Sequence, residues 1–473
     1  MMKNKAMRCV WLVCGLLMLA VTSCKDDLLY TDGEPIPEGE TTIIAQVDFR
    51  PLVEGLAGKS RTAGDAIKSI QDLCVLLYDT EGNFVEGHSL ESISNANPTD
   101  GQFYVNEVTR KDGDAPDGGT IAETKTPQVN LKLTIPYGRY YIYAVANMGE
   151  DFKKAVQAHG KENGAAEEVA KYKTAIATKE GLKSISLTWD VADVAKNSQM
   201  FGHFTIVGQE NNSELITINK KGMKLHSWIR RAASKVTIAY DGSKLEEGVF
   251  IYLKSVTIKD IPQNCCLGQD NPAVPENYQP KDRDEGVKLD LIKNGETIKY
   301  YEGDTEPTIS DFKETYEARI TKGKPLFGSK EQGENAYHPK KLADVHTEIT
   351  NALYFYENMQ GKGKEGTPSD KRQVVANTLN KTEPTYPNGG QENNEAWKDA
   401  KPYGTYIEVD AFYVSINDKK VGRGPIKYRF MLGKDVITDY NAERNHHYKL
   451  TLKFKGYALS LIHISEPTRP LYI

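Results

Sequence analysis

Tyr448, Leu450, Leu452 and Phe454 alternate with Lys449, Thr451, Lys453 and Lys455. A two-residue period places every apolar side chain on one face of an extended strand, and a helix cannot use it. The same period recurs at Val129, Leu131 and Leu133, which alternate with Asn130, Lys132 and Thr134. There Pro136-Tyr137-Gly138 turns the chain toward Tyr140 to Ala146, and the pair reads as a hairpin. Thr41 to Phe49 and Ile70 to Tyr78 read as two earlier strands, the second closed by a turn cluster from Asp79 to Asn83. Between them, Pro51 to Gly64 reads as an exposed loop. Tyr outnumbers Phe by 26 to 13, which suits strands that are wet on one face.

Ala165 to Ala177 is the best helical stretch before the middle of the chain, and it is expected to lie over an open sheet edge. A second strand-rich series opens near Trp228 and continues through Lys235 to Tyr240 and Ile251 to Ile258. Residues 262–350 are rich in Pro, Gly, Lys and Glu and read as long loops. Strands resume at Ala352 to Tyr356, Tyr403 to Val414 and Ile426 to Leu432. A chain of 473 residues exceeds what one core usually serves, so the expectation is residues 41–226 and 227–458 as two tandem domains. No period of 20–50 residues marks a solenoid or propeller.

The N-terminus sets the compartment. Lys3, Lys5 and Arg8 precede an apolar run from Val10 to Val21, with small residues before Cys24, the order of a secretory signal over residues 1–24. The run is too short for a spanning helix. Leu19 to Cys24 (LAVTSC) resembles the bacterial lipobox, in which the cysteine is lipidated and becomes the first residue. A lipid on Cys24 would hold a soluble body on a membrane. Residues 25–40 then read as a tether, and Lys25-Asp26-Asp27 is similar to a surface-export signal of Bacteroidetes lipoproteins. Once the leader leaves, only Cys74, Cys265 and Cys266 remain below Cys24, too few for a disulfide framework.

Motifs of chemistry are lacking or misleading. Gly361 to Gly366 satisfies G-x-G-x-x-G, but Thr367-Pro368 follows where a dinucleotide site needs a helix N-terminus. Asp282, Asp284 and Gly286 imitate a calcium loop whose twelfth position is Lys293 in place of Glu. His446 and His447 are neighbours on an extended segment, so they face opposite ways and cannot chelate one ion. The formal charge of −5 gives no reason to expect nucleic acid as a partner. A non-enzymatic protein with no cofactor and no metal is the expectation.

Three segments resemble the fimbrillins of Bacteroidales, the subunits of type V pili: Ser60-Arg61-Thr62 with Ile70 to Gly82, Tyr137 to Gly149 with its Ala-Asn pair, and Glu443 to Gly456 (ERNHHYKLTLKFKG). The resemblance implies a mainly β fold, two tandem transthyretin-like β-sandwich domains with a few short helices. It implies a fimbrillin-like lipoprotein carried to the outer membrane and cell surface by lipid on Cys24. An arginine-specific protease would cut between Arg61 and Thr62, with Arg50 the poorer choice, and displace the first strand with its alternate residues Thr41, Ile43, Ala45, Val47 and Phe49. Other pilin subunits would then fill the groove by strand exchange, giving a shaft or tip subunit of a fimbrium, with a host or bacterial surface molecule as ligand. The alternative is a surface lipoprotein that never polymerises, either a pilus anchor or an adhesin for glycan or host protein. Residues 459–469 resemble a translated sequencing adapter, so 459–473 reads as an artefactual tail that replaces the donor strand expected after Ala458.

Overall fold

The computed structural model describes residues 36–49, 53–55, 69–86, 88–92, 104–109, 128–158, 167–190, 199–209, 213–246, 249–274, 287–299, 326–328, 352–366, 370–371, 404–417, 420–456 and 463–464. The expected leader, Cys24, the loop tip at Arg61 and Thr62, and the calcium-like segment from Asp282 to Gly286 lie outside these residues.

The first series of strands is β1 (Glu40–Phe49), β2 (Val53–Gly55), β3 (Ser69–Tyr78), β4 (Ser89–Ser92), β5 (Tyr104–Thr109), β6 (Gln128–Pro136), β7 (Gly138–Ala146), β8 (Ser186–Thr188), β9 (Met200–Ile206), β10 (Leu215–Ile218) and β11 (Lys224–Arg231). The helices α1 (Gly149–Gln157), α2 (Glu167–Ile176) and α3 (Lys179–Lys183) fall between β7 and β8. One curled sheet runs β4-β6-β1-β11-β9-β7-β3-β5, with β10 beside β7. It closes over a core built from Ile43, Ala45 and Val47 of β1, Leu131 and Leu133 of β6, and Leu73, Val75 and Leu77 of β3.

The second series is β12 (Ala233–Leu245), β13 (Val249–Pro262), β14 (Asn264–Cys266), β15 (Leu291–Lys299), β16 (Leu326–Gly328), β17 (Leu353–Tyr356), β18 (Asn358–Lys362), β19 (Tyr406–Asn417), β20 (Lys420–Met431), β21 (Asp439–Ala442), β22 (His446–Gly456) and β23 (His463–Ile464). Two sheets, β17-β12-β22-β2 and β15-β13-β19-β20, face each other across Val236, Phe355, Tyr448, Leu450 and Phe454 on one side and Ile251, Val256, Val409 and Phe430 on the other. This mainly β architecture is the one expected from the alternating periods.

The expected hairpin between Val129 and Ala146 does not form. β6 pairs with β1 and β4, whereas β7 pairs with β3, β9 and β10. The two patterns already differ. β6 buries one face only, so it alternates, while β7 buries Ile142 and Ala144 in the first core and Tyr143 and Val145 in a second cluster on its outer side. That outer cluster also explains the unbroken apolar run of β3, where Cys74, Leu76 and Tyr78 lie under Phe152, Ile176 and Leu182 of the helices. Thus α2 covers a sheet face and not the edge foreseen for it.

Three further segments depart from expectation. The Pro51 to Gly64 stretch contains β2, whose backbone runs parallel to β22 with Val53 opposite His446. Trp228 does not open the second series: it sits in β11, opposite Asp48 of β1, and the change of sheet comes at Ala232. Glu40, placed in the tether, begins β1. Beyond Ala458, His463 and Ile464 pair with Lys453 and Leu452 of β22.

Cys74, Cys265 and Cys266 are free thiols, the first two buried. Among the described residues no helix is long and apolar enough to cross a membrane, and no group of His, Cys, Asp or Glu is placed to hold a metal ion.

Candidate functional site

The first strand is an inner strand with both edges occupied. β1 runs antiparallel to β6, from Glu40 opposite Pro136 to Asp48 opposite Gln128. On its other edge it runs parallel to β11, from Ile44 opposite Lys224 to Phe49 opposite Ile229. Strands that are neighbours in sequence usually pair antiparallel through short turns; a parallel pair needs a long crossover. Here the whole first series separates the two partners, so β1 is held by contacts distant in sequence.

On one face of the strand the side chains of Thr41, Ile43, Ala45 and Val47 point inward. Ile43, Ala45 and Val47 are fully buried and Thr41 is 3% exposed. The backbone of Phe49 closes the strand. The opposite face is wetter. Ile44 is 42% and Trp228 47% exposed, and Thr42 Oγ1 lies 3.2 Å from Thr134 Oγ1. Asp48 Oδ2 is 2.9 Å from His226 Nε2 and accepts from Gln46 Nε2 at 2.9 Å, and the His226 ring meets Trp228 edge-on at 4.8 Å.

The core face of this slot carries two hydroxyls without partners among the described residues, Thr41 Oγ1 and Ser227 Oγ. Ser227 is the register partner of Val47. Neither was foreseen from sequence, because an isolated Thr or Ser on a strand gives no sign of whether its hydroxyl finds a partner.

The two other segments of the resemblance are junctions. At the end of β7, Asn147 adopts a left-handed backbone with φ 60°. Its Oδ1 accepts from Gln71 N at 3.0 Å. The adjacent Asp72 carboxylate accepts the Met148 and Gly149 N–H groups, each at 3.0 Å, and so anchors the start of α1. Burial pushes the Asp72 carboxyl above its ordinary range, against the opposing pull of these backbone bonds.

At the entry to β22, Asn445 is again left-handed, with φ 55°, and accepts from Arg231 N at the end of β11. Arg444 turns inward. It donates to the carbonyls of Cys266, Leu267 and Gln269 and to the carboxylate of Glu357. Burial disfavours its charge, but Glu357 outweighs this and holds the guanidinium more basic than usual. His446 Nε2 meets Glu443 Oε2 at 3.1 Å, while His447 Nε2 meets Thr237 Oγ1 at 2.8 Å. The two rings have separate partners, consistent with neighbours on an extended segment.

On the outer face of the β15-β13-β19-β20 sheet, Glu408 is enclosed by Arg429 Nε at 2.7 Å, Lys427 Nζ at 3.0 Å and Lys259 Nζ at 3.3 Å. Burial alone would raise its pKa. The bonds from Arg429 and Lys427 and their charges prevail and take it down to about 2.

A family described as a domain of unknown function (DUF4906) matches residues 353–452, from β17 into β22. No curated protein matches the sequence. Among solved structures, a candidate cell adhesion protein from Parabacteroides distasonis is similar at 10% identity and a TM-score of 0.40, over 89% of this chain and 93% of that one. The tip fimbrial protein Mfa3 from Porphyromonas gingivalis is similar at 10% identity and a TM-score of 0.35, over 88% and 95%. A fimbrial assembly protein from Parabacteroides distasonis is similar at 10% identity and a TM-score of 0.32, over 89% and 92%.

Proposed function

We propose that the chain is a structural or tip subunit of a surface pilus of the type V class, exported as a lipoprotein on Cys24, cut between Arg61 and Thr62, and assembled by exchange of β1 for a strand of another subunit. The observation that carries this reading is the setting of β1. It is the first strand among the described residues, it lies between β6 and β11, and it contributes Ile43, Ala45 and Val47 to the core.

Removing such a strand leaves two unpaired backbone edges and an apolar trough, a surface that only another extended segment can satisfy. Alternate side chains set the register of the incoming strand, because a slip by one residue would turn every apolar group outward. The segment ahead of Arg61 also includes β2, which borders β22, so one cut releases backbone edges in both sheets.

Mass spectrometry of the protein taken from the native cell surface tests this. A mature N-terminus at Thr62 supports strand removal. A lipidated N-terminus at Cys24 with β1 retained overturns it and favours an anchor or an adhesin that does not polymerise.

A further inference from the structure

Thr41 is the misfit of β1. Its side chain faces the core side of the strand, opposite Ile135 of β6, which is fully buried. It is 3% exposed, yet its hydroxyl finds no partner among the described residues. The neighbouring Thr42 points outward and its hydroxyl pairs with Thr134, so β1 places one threonine where a hydroxyl is served and one where it is not. The backbone around Thr41 is already committed: Tyr137 N donates to Gly39 O, Gly222 N to Thr42 O, and Ile44 N to Met223 O.

An unpaired buried hydroxyl loses its water without replacement, whereas a methyl group in the same volume does not. We infer that the slot beside Ile135 is built for a branched apolar side chain, and that the partner strand it prefers, supplied by another pilus subunit, carries Val or Ile at the position of Thr41. The inference rests on the strand-exchange reading above and adds the residue that gives exchange its direction. β1 is a deliberately imperfect occupant, and a strand with the better residue displaces it downhill. Ile43, Ala45 and Val47, all fully buried, fix the register that brings position 41 against Ile135.

Two measurements on the full chain test it. In the first, amide hydrogen exchange of residues 42–48 is followed in wild type, Thr41→Val and Thr41→Ser. Removing the unpaired hydroxyl is expected to slow exchange in Thr41→Val by about tenfold, while Thr41→Ser exchanges as fast as wild type or faster. Equal or faster exchange in Thr41→Val overturns the inference whether or not strands exchange in assembly.

In the second, the folded chain is cut with an arginine-specific protease and offered labelled synthetic peptides covering residues 38–50 with Thr or Val at position 41. Preferential uptake and about tenfold slower release of the Val peptide supports the inference. Equal uptake of both overturns it while leaving exchange intact. Uptake of neither, with slowed amide exchange in Thr41→Val, overturns strand exchange and with it the partner named here.

Discussion

Arg444 and Glu357 form an ion pair in which each side chain is only 4% exposed. Arg444 precedes β22 and Glu357 follows β17, and the same guanidinium reaches three carbonyls between Cys266 and Gln269. Glu357 in turn accepts from Asn271 N. Removing one member leaves the other charge buried and uncompensated, which costs about 3–5 kcal/mol in comparable sites. Arg444→Ala and Glu357→Ala should therefore each lower the midpoint of chemical unfolding strongly. The double variant should cost clearly less than the sum. Additive losses would mean that the two side chains act independently.

Glu408 predicts acid sensitivity. Its carboxyl is held down to about 2, below the ordinary value near about 4.3 for an unfolded chain. A depressed acid contributes stability that is complete above the unfolded value and is lost as pH falls through the folded one, here between about 5 and 2. The contribution has an upper bound of about 3 kcal/mol. Glu408→Gln should be less stable than wild type at pH 7, and the gap should close by about pH 2. A gap that stays constant over that range would assign the loss to packing.

The sequence disclosed strands better than it disclosed their partners. β1 and β22 were legible because one face of each is buried, which writes a two-residue period into the chain. Nothing local says that β1 lies parallel to β11, since the pairing residues, such as Val47 and Ser227, stand at opposite ends of the first series. The mistaken hairpin has the same root. Tyr137 joins two strands whose core side chains enter one core from different stretches of a curled sheet, and adjacency in sequence was read as adjacency in the ladder. β2 was hidden because Val53 to Gly55 is three residues long and carries no period. The Arg444-Asn445 signature was visible, but its work, joining β22 to Arg231 and Glu357, depends on residues far from it in sequence.

Asn147 and Asp72 make a second test of a junction. Asn tolerates a left-handed backbone better than most residues, and Ala does not. Asn147→Ala should cost about 1–3 kcal/mol through backbone strain and loss of the bond to Gln71 N. Asn147→Gly should recover the strain but not the bond, giving an intermediate unfolding midpoint. Asp72→Ala leaves the Met148 and Gly149 N–H groups without their acceptor and should lower helical content at α1 by circular dichroism or amide exchange. Equal stability for Asn147→Ala and Asn147→Gly would show that φ at this position is not constrained.

Gly202 connects the strand slot to the curl of the sheet. It lies in β9, opposite Ala144 of β7, and β9 stands between β11 and β7 in the sheet. A Cβ added there would stand 2.5 Å from the Trp228 carbonyl oxygen and 2.9 Å from Ser227 Oγ. The first is backbone of β11 and cannot swing aside. Gly202→Ala must therefore push β11 away from β9, at a cost of about 1–3 kcal/mol for an overpacked interior. Because β11 is also the parallel wall of the slot holding β1, the disturbance should pass to β1, and the amides of Ile44 to Asp48 should exchange faster than those of β22. Gly424→Ala supplies the control, since a Cβ there meets nothing within 4 Å and its stability should stay within about 0.5 kcal/mol of wild type. If Gly202→Ala also stays within that margin, the close approach of β9 to β11 does not shape the slot, and β1 is held by its own side chains alone.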